Sequence, residues 1–386
     1  MQSDTQKTDS LLLFLVFCLL IYSLLAVYSG SGQYVKEEPF YFVNRQFIWY
    51  VIGFGIMFLV AKFDYELLEK WALPLYITGI VLLLLVHFWG VERNGSQRWV
   101  NLGIIEIQPS EFMKIFFIIY ISFILKKAGK FQLTFRSSAP VVLKVILYTL
   151  IPFLLIFDQP DLGSALVILG IAISLIFISS ISSKMILFIV SGVTTLLGVL
   201  VYLFYFHHGL FTQVLKPHQL SRIYGWLEPE QYASNYGYQL QQAMTGIGSG
   251  QLNGKGFNKG VQVQSGKVPE AHTDFIFAVI GEEFGFIGTS LLVLIYFLLI
   301  YRIIQISLRA NNLFGVYICV GTVGLISLQV FQNIGMTIGL MPITGLALPF
   351  ISYGGSALLT NFIALGLVLS VQMRSKKFIF SNNNGI

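Results

Sequence analysis

Pro269-Glu270-Ala271-His272-Thr273-Asp274-Phe275-Ile276-Phe277 is where this chain turns from polar to apolar. Before it, residues 216–272 form the one long hydrophilic passage; after it, apolar residues run on to about 301. The turn is led by a proline and ends on an acidic residue at the mouth of the apolar run. A water-facing loop that returns the chain to a membrane helix has this form. The rest of the sequence is a frame of apolar segments around that loop.

Composition agrees. Of 386 residues, 55% are hydrophobic and only 11% charged, where a soluble domain carries about a quarter. A helix crosses a bilayer with roughly 20 apolar residues. Windows of that kind lie at 11–28, 45–62, 71–90, 110–126, 139–157, 162–180, 184–206, 274–301, 313–338 and 354–373. The expected fold is all-α: a polytopic membrane protein with about ten transmembrane helices, one integral domain over 1–386, and a large extracellular loop, 207–273, between spans seven and eight. The first run lacks a strongly basic lead and a small-x-small cleavage site, so it reads as a retained helix.

Basic residues orient the spans, because cytoplasmic loops collect Lys and Arg. Lys62 and Lys70, then Lys126, Lys127, Lys130 and Arg136, then Lys184, Arg302, Arg309, Arg374, Lys376 and Lys377 share one set of faces. Those faces, with both termini, are expected in the cytoplasm. The opposite short connections hold only Lys36, Arg45, Arg93 and Arg98, and the long loop is placed outside. The net charge of +6 therefore reflects topology, and no nucleic-acid partner is expected. Cys18 and Cys319 lie in apolar runs and offer neither a disulfide framework nor a metal-ligand spacing. The segments before and after the loop do not match as the repeats of many transporters do.

Ionisable residues inside spans are costly and point to function or to a buried partner. Glu111 and Lys114 stand at i and i+3 on one helix face, as a structural ion pair or as part of a site. Asp161, in Gln159-Pro160-Asp161-Leu162-Gly163, suits a helix N-cap as well as a cavity wall. Asp274 is flanked by Lys267, Glu270 and His272. Half-desolvated, such a carboxylate gains proton affinity and suits a general base; alternatively, Thr273 or Asp274 caps the next helix. Glu282 and Glu283 fall about two turns deeper, where they need partners, and Lys114 is available. The passage Gly246-Ile247-Gly248-Ser249-Gly250-Gln251-Leu252-Asn253-Gly254-Lys255-Gly256 departs from a phosphate loop: Lys255 is followed by Gly, and no strand precedes it. Its glycines suit a tight turn against the membrane. Asn94-Gly95-Ser96 matches a glycosylation triplet as readily by chance as by purpose, and adjacent His207 and His208 are poorly spaced for one metal.

Several motifs occur in a fixed order. They are Gly95-Ser96-Gln97-Arg98-Trp99; Gln108-Pro109-Ser110-Glu111 with Lys114; Gln159-Pro160-Asp161-Leu162-Gly163; His218-Gln219 with Arg222-Ile223; Gly248-Ser249-Gly250; Pro269-Glu270 with His272-Thr273-Asp274-Phe275-Ile276-Phe277; and Pro342, Gly345, Pro349-Phe350 and Ser352-Tyr353-Gly354-Gly355-Ser356. Together they resemble the SEDS proteins of bacteria (shape, elongation, division and sporulation), over nearly the whole chain. The RodA-like elongation branch fits better than the FtsW-like division branch or a sporulation member. The resemblance implies a peptidoglycan glycosyltransferase in the bacterial cytoplasmic membrane. Such an enzyme polymerises lipid II into β-1,4 glycan strands for elongation and shape, with a class B penicillin-binding protein as partner. It also implies that Asp274 is the essential acid, that Trp99 is the loop tryptophan, and that Glu111, Lys114 and Asp161 line a central cavity.

On that reading Asp274 takes the proton of the acceptor hydroxyl. Arg98, Lys114, Arg222 and a divalent cation, magnesium or manganese, stabilise the leaving pyrophosphate. No motif assigns ligands to the ion. His272, Glu282 and Glu283 complete the candidate cavity wall. A lipid II flippase and a non-catalytic scaffold that activates a penicillin-binding protein are the alternatives.

Overall fold

A computed structural model describes residues 9–32, 34, 38, 40–93, 96–101, 103, 106–214, 217–232 and 236–375. Lys36, Asn94 and Gly95 of the glycosylation triplet, Lys216, Lys376 and Lys377 lie outside these residues, as do the side chains of Arg93 and His218.

Each apolar window folds as a helix, because a segment in lipid must satisfy its own backbone. Seven precede the loop: α1 (Ser10–Ser31), α2 (Tyr41–Lys62), α3 (Leu68–Trp89), α4 (Pro109–Ala128), α5 (Phe135–Asp158), α6 (Leu162–Ile178) and α7 (Ser183–Phe206). The loop itself carries four short helices, α8 (His208–Val214), α9 (Pro217–Leu227), α10 (Tyr236–Gly250) and α11 (Val261–Gln264). Three long helices follow it: α12 (Ile276–Leu308), α13 (Leu313–Thr337) and α14 (Gly355–Met373). Eight of the ten long helices are long and apolar enough to span a membrane. The other two are α4, which carries Glu111, Lys114, Lys126 and Lys127, and α6, with 17 residues.

Capping residues set several starts. Asp9 accepts from Leu12 N at 3.1 Å, Asp161 from Ser164 N at 3.1 Å, and Asn312 from Gly315 N at 2.9 Å. Asp9 also meets Arg302 Nε at 2.7 Å and Gln372 Nε2 at 3.1 Å, while Arg374 meets Asp64 at 3.3 Å. The start of α1 and the ends of α12 and α14 thus share one end of the bundle. On α7 only Met185 is buried; its apolar side chains face outward, as suits lipid.

A small antiparallel sheet was not foreseen: β1 (Val91–Arg93), β2 (Ser96–Asn101) and β3 (Glu106–Ile107), in that order, between α3 and α4. Its strands are too short and too polar to show a period. Val91 pairs with Trp99 and Val100 with Ile107, which puts Arg98 and Trp99 over the end of the bundle.

The Gly-rich passage has a structural role. α12 breaks at Gly285, whose φ of 63° and ψ of −159° lie outside the helical region, and the break leaves backbone groups that lipid cannot satisfy. The loop satisfies them: Lys255 N donates to Glu282 O and Gly256 N to Glu283 O, each at 3.0 Å, while Phe286 N and Ile287 N donate to Gln251 O and Leu252 O at 2.9 and 3.1 Å. A Cβ on Gly285 would fall 2.3 Å from Gly254 N, and one on Gly254 2.1 Å from Glu283 O. Close backbone approach explains these glycines, and they take no part in the cavity below.

Candidate active site

The up-and-down order of the long helices brings alternate N-termini to one end of the bundle. There α2, α4, α6, α12 and α14 all begin around a single cavity of about 980 Å³. Five positive helix ends give that cavity a field favouring anions. Its wall includes seven of the residues singled out from the sequence: Arg98, Trp99, Glu111, Asp161, Arg222, His272 and Asp274.

Asp274 sits just before α12 and is partly exposed to the cavity. The alternative reading as a cap is not realised: Phe275 is the N-cap of α12 and makes no side-chain capping bond. The backbone around Asp274 is held firmly instead. Asn333 Nδ2 donates to Asp274 O at 2.8 Å and to Leu346 O at 2.7 Å; Ser352 Oγ donates to Thr273 O at 2.7 Å; Tyr353 N donates to His272 O at 3.0 Å. These bonds staple the loop end to the segment before α14. Among the described residues nothing hydrogen-bonds the Asp274 carboxylate, so its oxygens are open to a substrate. Burial and the nearby Glu270 charge push its pKa up to about 6, against the pull of Arg98 and Arg222. A carboxylate so tuned accepts a proton near neutral pH.

Asp161 combines both readings made of it. It caps α6, and its other oxygen accepts from Gln108 Nε2 at 3.1 Å and Ser110 Oγ at 3.3 Å. Burial opposes its ionisation, but the charges of Arg98 and Lys114 and the Ser164 N–H outweigh it and hold its carboxyl below the usual range. Asp161 stays ionised while Asp274 takes protons. Arg98 donates from Nε to Gln159 O at 3.1 Å and from Nη2 to Pro160 O, clamping the α5–α6 turn. Arg222, from α9, donates from Nη1 to Thr344 O at 3.3 Å. His272 packs against the rings of Phe42 and Tyr34, with centroids 4.7 and 4.8 Å away; burial lowers its pKa and keeps it neutral, opposed by Glu270.

Three residues expected in the wall are elsewhere. Lys114 is fully buried and gives its charge to Glu111, Nζ to Oε1 at 2.6 Å, behind the cavity surface that Glu111 reaches. Glu282 and Glu283 face the loop because α12 turns them away from Asp274. Glu282 accepts from Lys255 Nζ at 2.8 Å, Gln262 N at 2.9 Å and Val263 N at 3.1 Å, and Glu283 accepts from the Ser29 hydroxyl. Lys255 therefore stands where Lys114 was expected. Conversely, Phe42, Arg45 and Trp49, on one face of α2, belong to the wall and were missed. Only their spacing of three and four at the start of α2, where Arg45 was read as topology, could have found them.

No three His, Cys, Asp or Glu side chains come together to hold a metal among the described residues. His208, discounted on spacing, bonds Tyr224 Oη through Nε2 at 2.9 Å. The cavity wall carries carboxylates, Glu111, Asp161, Glu270 and Asp274 among them, but among the described residues no three of them gather into a protein-only cage.

The model of the cell cycle protein family FtsW/RodA/SpoVE matches residues 9–377. The chain belongs to this family. This SEDS protein is 36% identical to stage V sporulation protein E of Bacillus subtilis (strain 168), over 96% of this chain and 99% of the relative. It is 34% identical to peptidoglycan glycosyltransferase MrdB of Escherichia coli (strain K12), over 97% and 95%. Among solved structures it resembles RodA of Thermus thermophilus, with a TM-score of 0.66, 28% identity, and 95% and 96% of the two chains covered. A chain from a structure of a peptidoglycan synthase complex that coordinates polymerization and crosslinking gives a TM-score of 0.78 at 29% identity, over 96% and 99%. RodA and MrdB support the RodA-like reading, and the sporulation relative shows how close the branches lie.

Proposed function

We propose that this SEDS protein is a peptidoglycan glycosyltransferase that polymerises lipid II with inversion at the outer face of the bacterial cytoplasmic membrane, both termini being cytoplasmic. The observation that carries the reading is an open, proton-accepting Asp274 in an anion-favouring cavity. The relatives named glycosyltransferases, matched along nearly their whole length, support it.

Asp274 takes the proton of the acceptor's GlcNAc 4-hydroxyl as that oxygen attacks the anomeric carbon of the donor's MurNAc. The new β-1,4 bond forms as the C–O bond to pyrophosphate breaks. General-base help of this kind is worth about 10²–10⁴-fold. Arg98 and Arg222 are the cations near Asp274 and so near the developing charge of the leaving group. Lys114 reaches the cavity indirectly, through its ion pair with Glu111 and its charge near Asp161. Trp99 covers the site from the sheet.

A magnesium or manganese ion would be held by wall carboxylates, Glu111 with its unpartnered Oε2 or Asp274, and would supply positive charge to the leaving pyrophosphate. Polymerisation that falls on chelation and returns with the metal supports it; an unchanged rate removes the ion. The partner proposed is a class B penicillin-binding protein, in keeping with the synthase complex whose chain this one resembles. A flippase needs a polar route across the bilayer, but Lys114, Glu282 and Glu283 are closed into local pairs away from the cavity.

The test uses purified protein co-expressed with that partner, labelled lipid II, and a gel. A ladder of glycan chains made by wild type and lost in Asp274→Asn supports the polymerase. No ladder from either protein, with lipid II crossing vesicle bilayers instead, supports the flippase.

A further inference from the structure

We infer that the α2 wall of the cavity, Phe42, Arg45 and Trp49 with His272, is a second anion subsite, which holds the pyrophosphate of the acceptor substrate. The inference rests on the polymerase reading and deepens it. A glycan polymerase handles two lipid-linked pyrophosphates at once. One leaves from the carbon under attack, beside Asp274. The other stays on the acceptor, one disaccharide away from the attacking hydroxyl, and must be bound without being activated.

The cavity carries two separate sets of cations. Arg98 and Arg222 are close enough to Asp274 to depress its proton affinity. Arg45 is not among the groups that act on Asp274, yet it lines the same cavity from the start of α2. Its guanidinium lies 4.4 Å from the centroid of the Tyr41 ring. Among the described residues it has no carboxylate partner, so a positive charge at the edge of an apolar helix is left uncommitted. Arg45 is exposed at the start of α2, so its charge is available to an anion that enters the cavity.

The neighbours of Arg45 shape that place. Phe42, Arg45 and Trp49 fall three and four residues apart and so share one helix face. On one side Phe42 packs on His272, a buried residue with 7% exposure whose Nδ1 has no hydrogen-bond partner. On the other side Trp49 lies against Gly355, where a Cβ would come within 2.5 Å of the indole. Gly354, Gly355, Ser356 and Ala357, the uncapped start of α14, line the cavity there. An aromatic on each side, a cation without a carboxylate partner between them, and an unpartnered imidazole nitrogen suit a phosphate linked to a sugar: rings pack on sugar faces and the guanidinium grips phosphate oxygens by two parallel bonds.

The experiment separates acceptor from donor. The protein, with its penicillin-binding partner, receives a saturating preformed lipid-linked glycan as donor, and lipid II is varied as acceptor. Arg45→Gln is expected to raise KM for lipid II by about ten- to hundredfold, the worth of a charged hydrogen bond, with kcat within about threefold of wild type. Arg45→Lys, which keeps the charge, recovers most of that loss. Melting temperatures in detergent accompany each variant. An unchanged KM would overturn the assignment, as would Arg45→Lys behaving like Arg45→Gln at the same melting temperature. A raised KM for the preformed donor with an unchanged KM for lipid II would move Arg45 to the leaving group and likewise overturn it. If Arg45→Gln does not fold, Arg45→Lys and His272→Gln take its place, and acceptor KM unmoved in both rejects the subsite. Wild type that makes no glycan would sink the polymerase reading itself, an outcome distinct from all of these.

Discussion

Asp274 and Glu282 are two acids of the same segment, eight residues apart, and the protein treats them oppositely. Around Glu282 every approach is closed: Lys255 Nζ, Gln262 N and Val263 N occupy its oxygens, and it is wholly buried. Around Asp274 the backbone is fastened by Asn333 and its flank by Ser352, but the carboxylate itself is left open to the cavity. What separates an acid that builds from one that reacts is therefore whether its oxygens are taken, since both are removed from bulk water. The closed one locks a loop into the break at Gly285. The open one keeps a proton affinity that substrate chemistry can use.

The widest gap between the two regions is in turnover. Asp274→Asn should cut polymerisation by about 10²-fold or more, while Glu282→Gln, measured per folded molecule, should keep most of the wild-type rate; initial rates on labelled lipid II check both. In stability the order reverses. Removing Glu282 leaves Lys255 and two backbone N–H groups without their acceptor, and opening a buried pair costs about 3–5 kcal/mol, so Glu282→Ala should melt well below wild type. Gly285→Ala is expected to destabilise by about 1–3 kcal/mol or more, because the added Cβ meets Gly254 N in a backbone conformation that alanine resists; a thermal melt in detergent measures it.

pH sharpens the comparison. With the Asp274 pKa pushed up to about 6, the base form is lost as pH falls through 6, so kcat should drop about tenfold per pH unit well below that value. The smallest effect has the opposite sign to the first. A carboxyl whose pKa is raised by folding stabilises the protein only while protonated, below its unfolded value near 3.8, and that contribution is lost as pH rises through about 6. At pH 7.5 ionised Asp274 is thus a cost, and Asp274→Asn should melt slightly higher than wild type while inactive.

Much of this was legible in the sequence. The ten helices follow from apolar length alone, and Asp274 stood out because an acid at the mouth of a span, after a proline-led turn, is rare. Arg98, Trp99, Asp161 and Arg222 came through the order of motifs, and the structure gathers them at one cavity. The errors share one cause. Periodicity says which residues share a face, but it does not say which element faces them. Glu282 and Glu283 were paired with Lys114 because it was the lysine at membrane depth; the true partner, Lys255, arrives on a loop that bends back into the α12 break. Arg45 was missed for the same reason, since a basic residue in a short connection reads as topology until the connection is seen to border a cavity.

The most direct measurement compares Asp274→Asn and Glu282→Gln side by side, each with the penicillin-binding partner, with glycan synthesis normalised to the fraction folded at the same temperature. The account predicts a folded Asp274→Asn protein that makes no ladder and a less stable Glu282→Gln protein whose folded fraction polymerises at close to the wild-type rate. An active Asp274→Asn protein, or a Glu282→Gln protein that is fully folded and inactive, would contradict it.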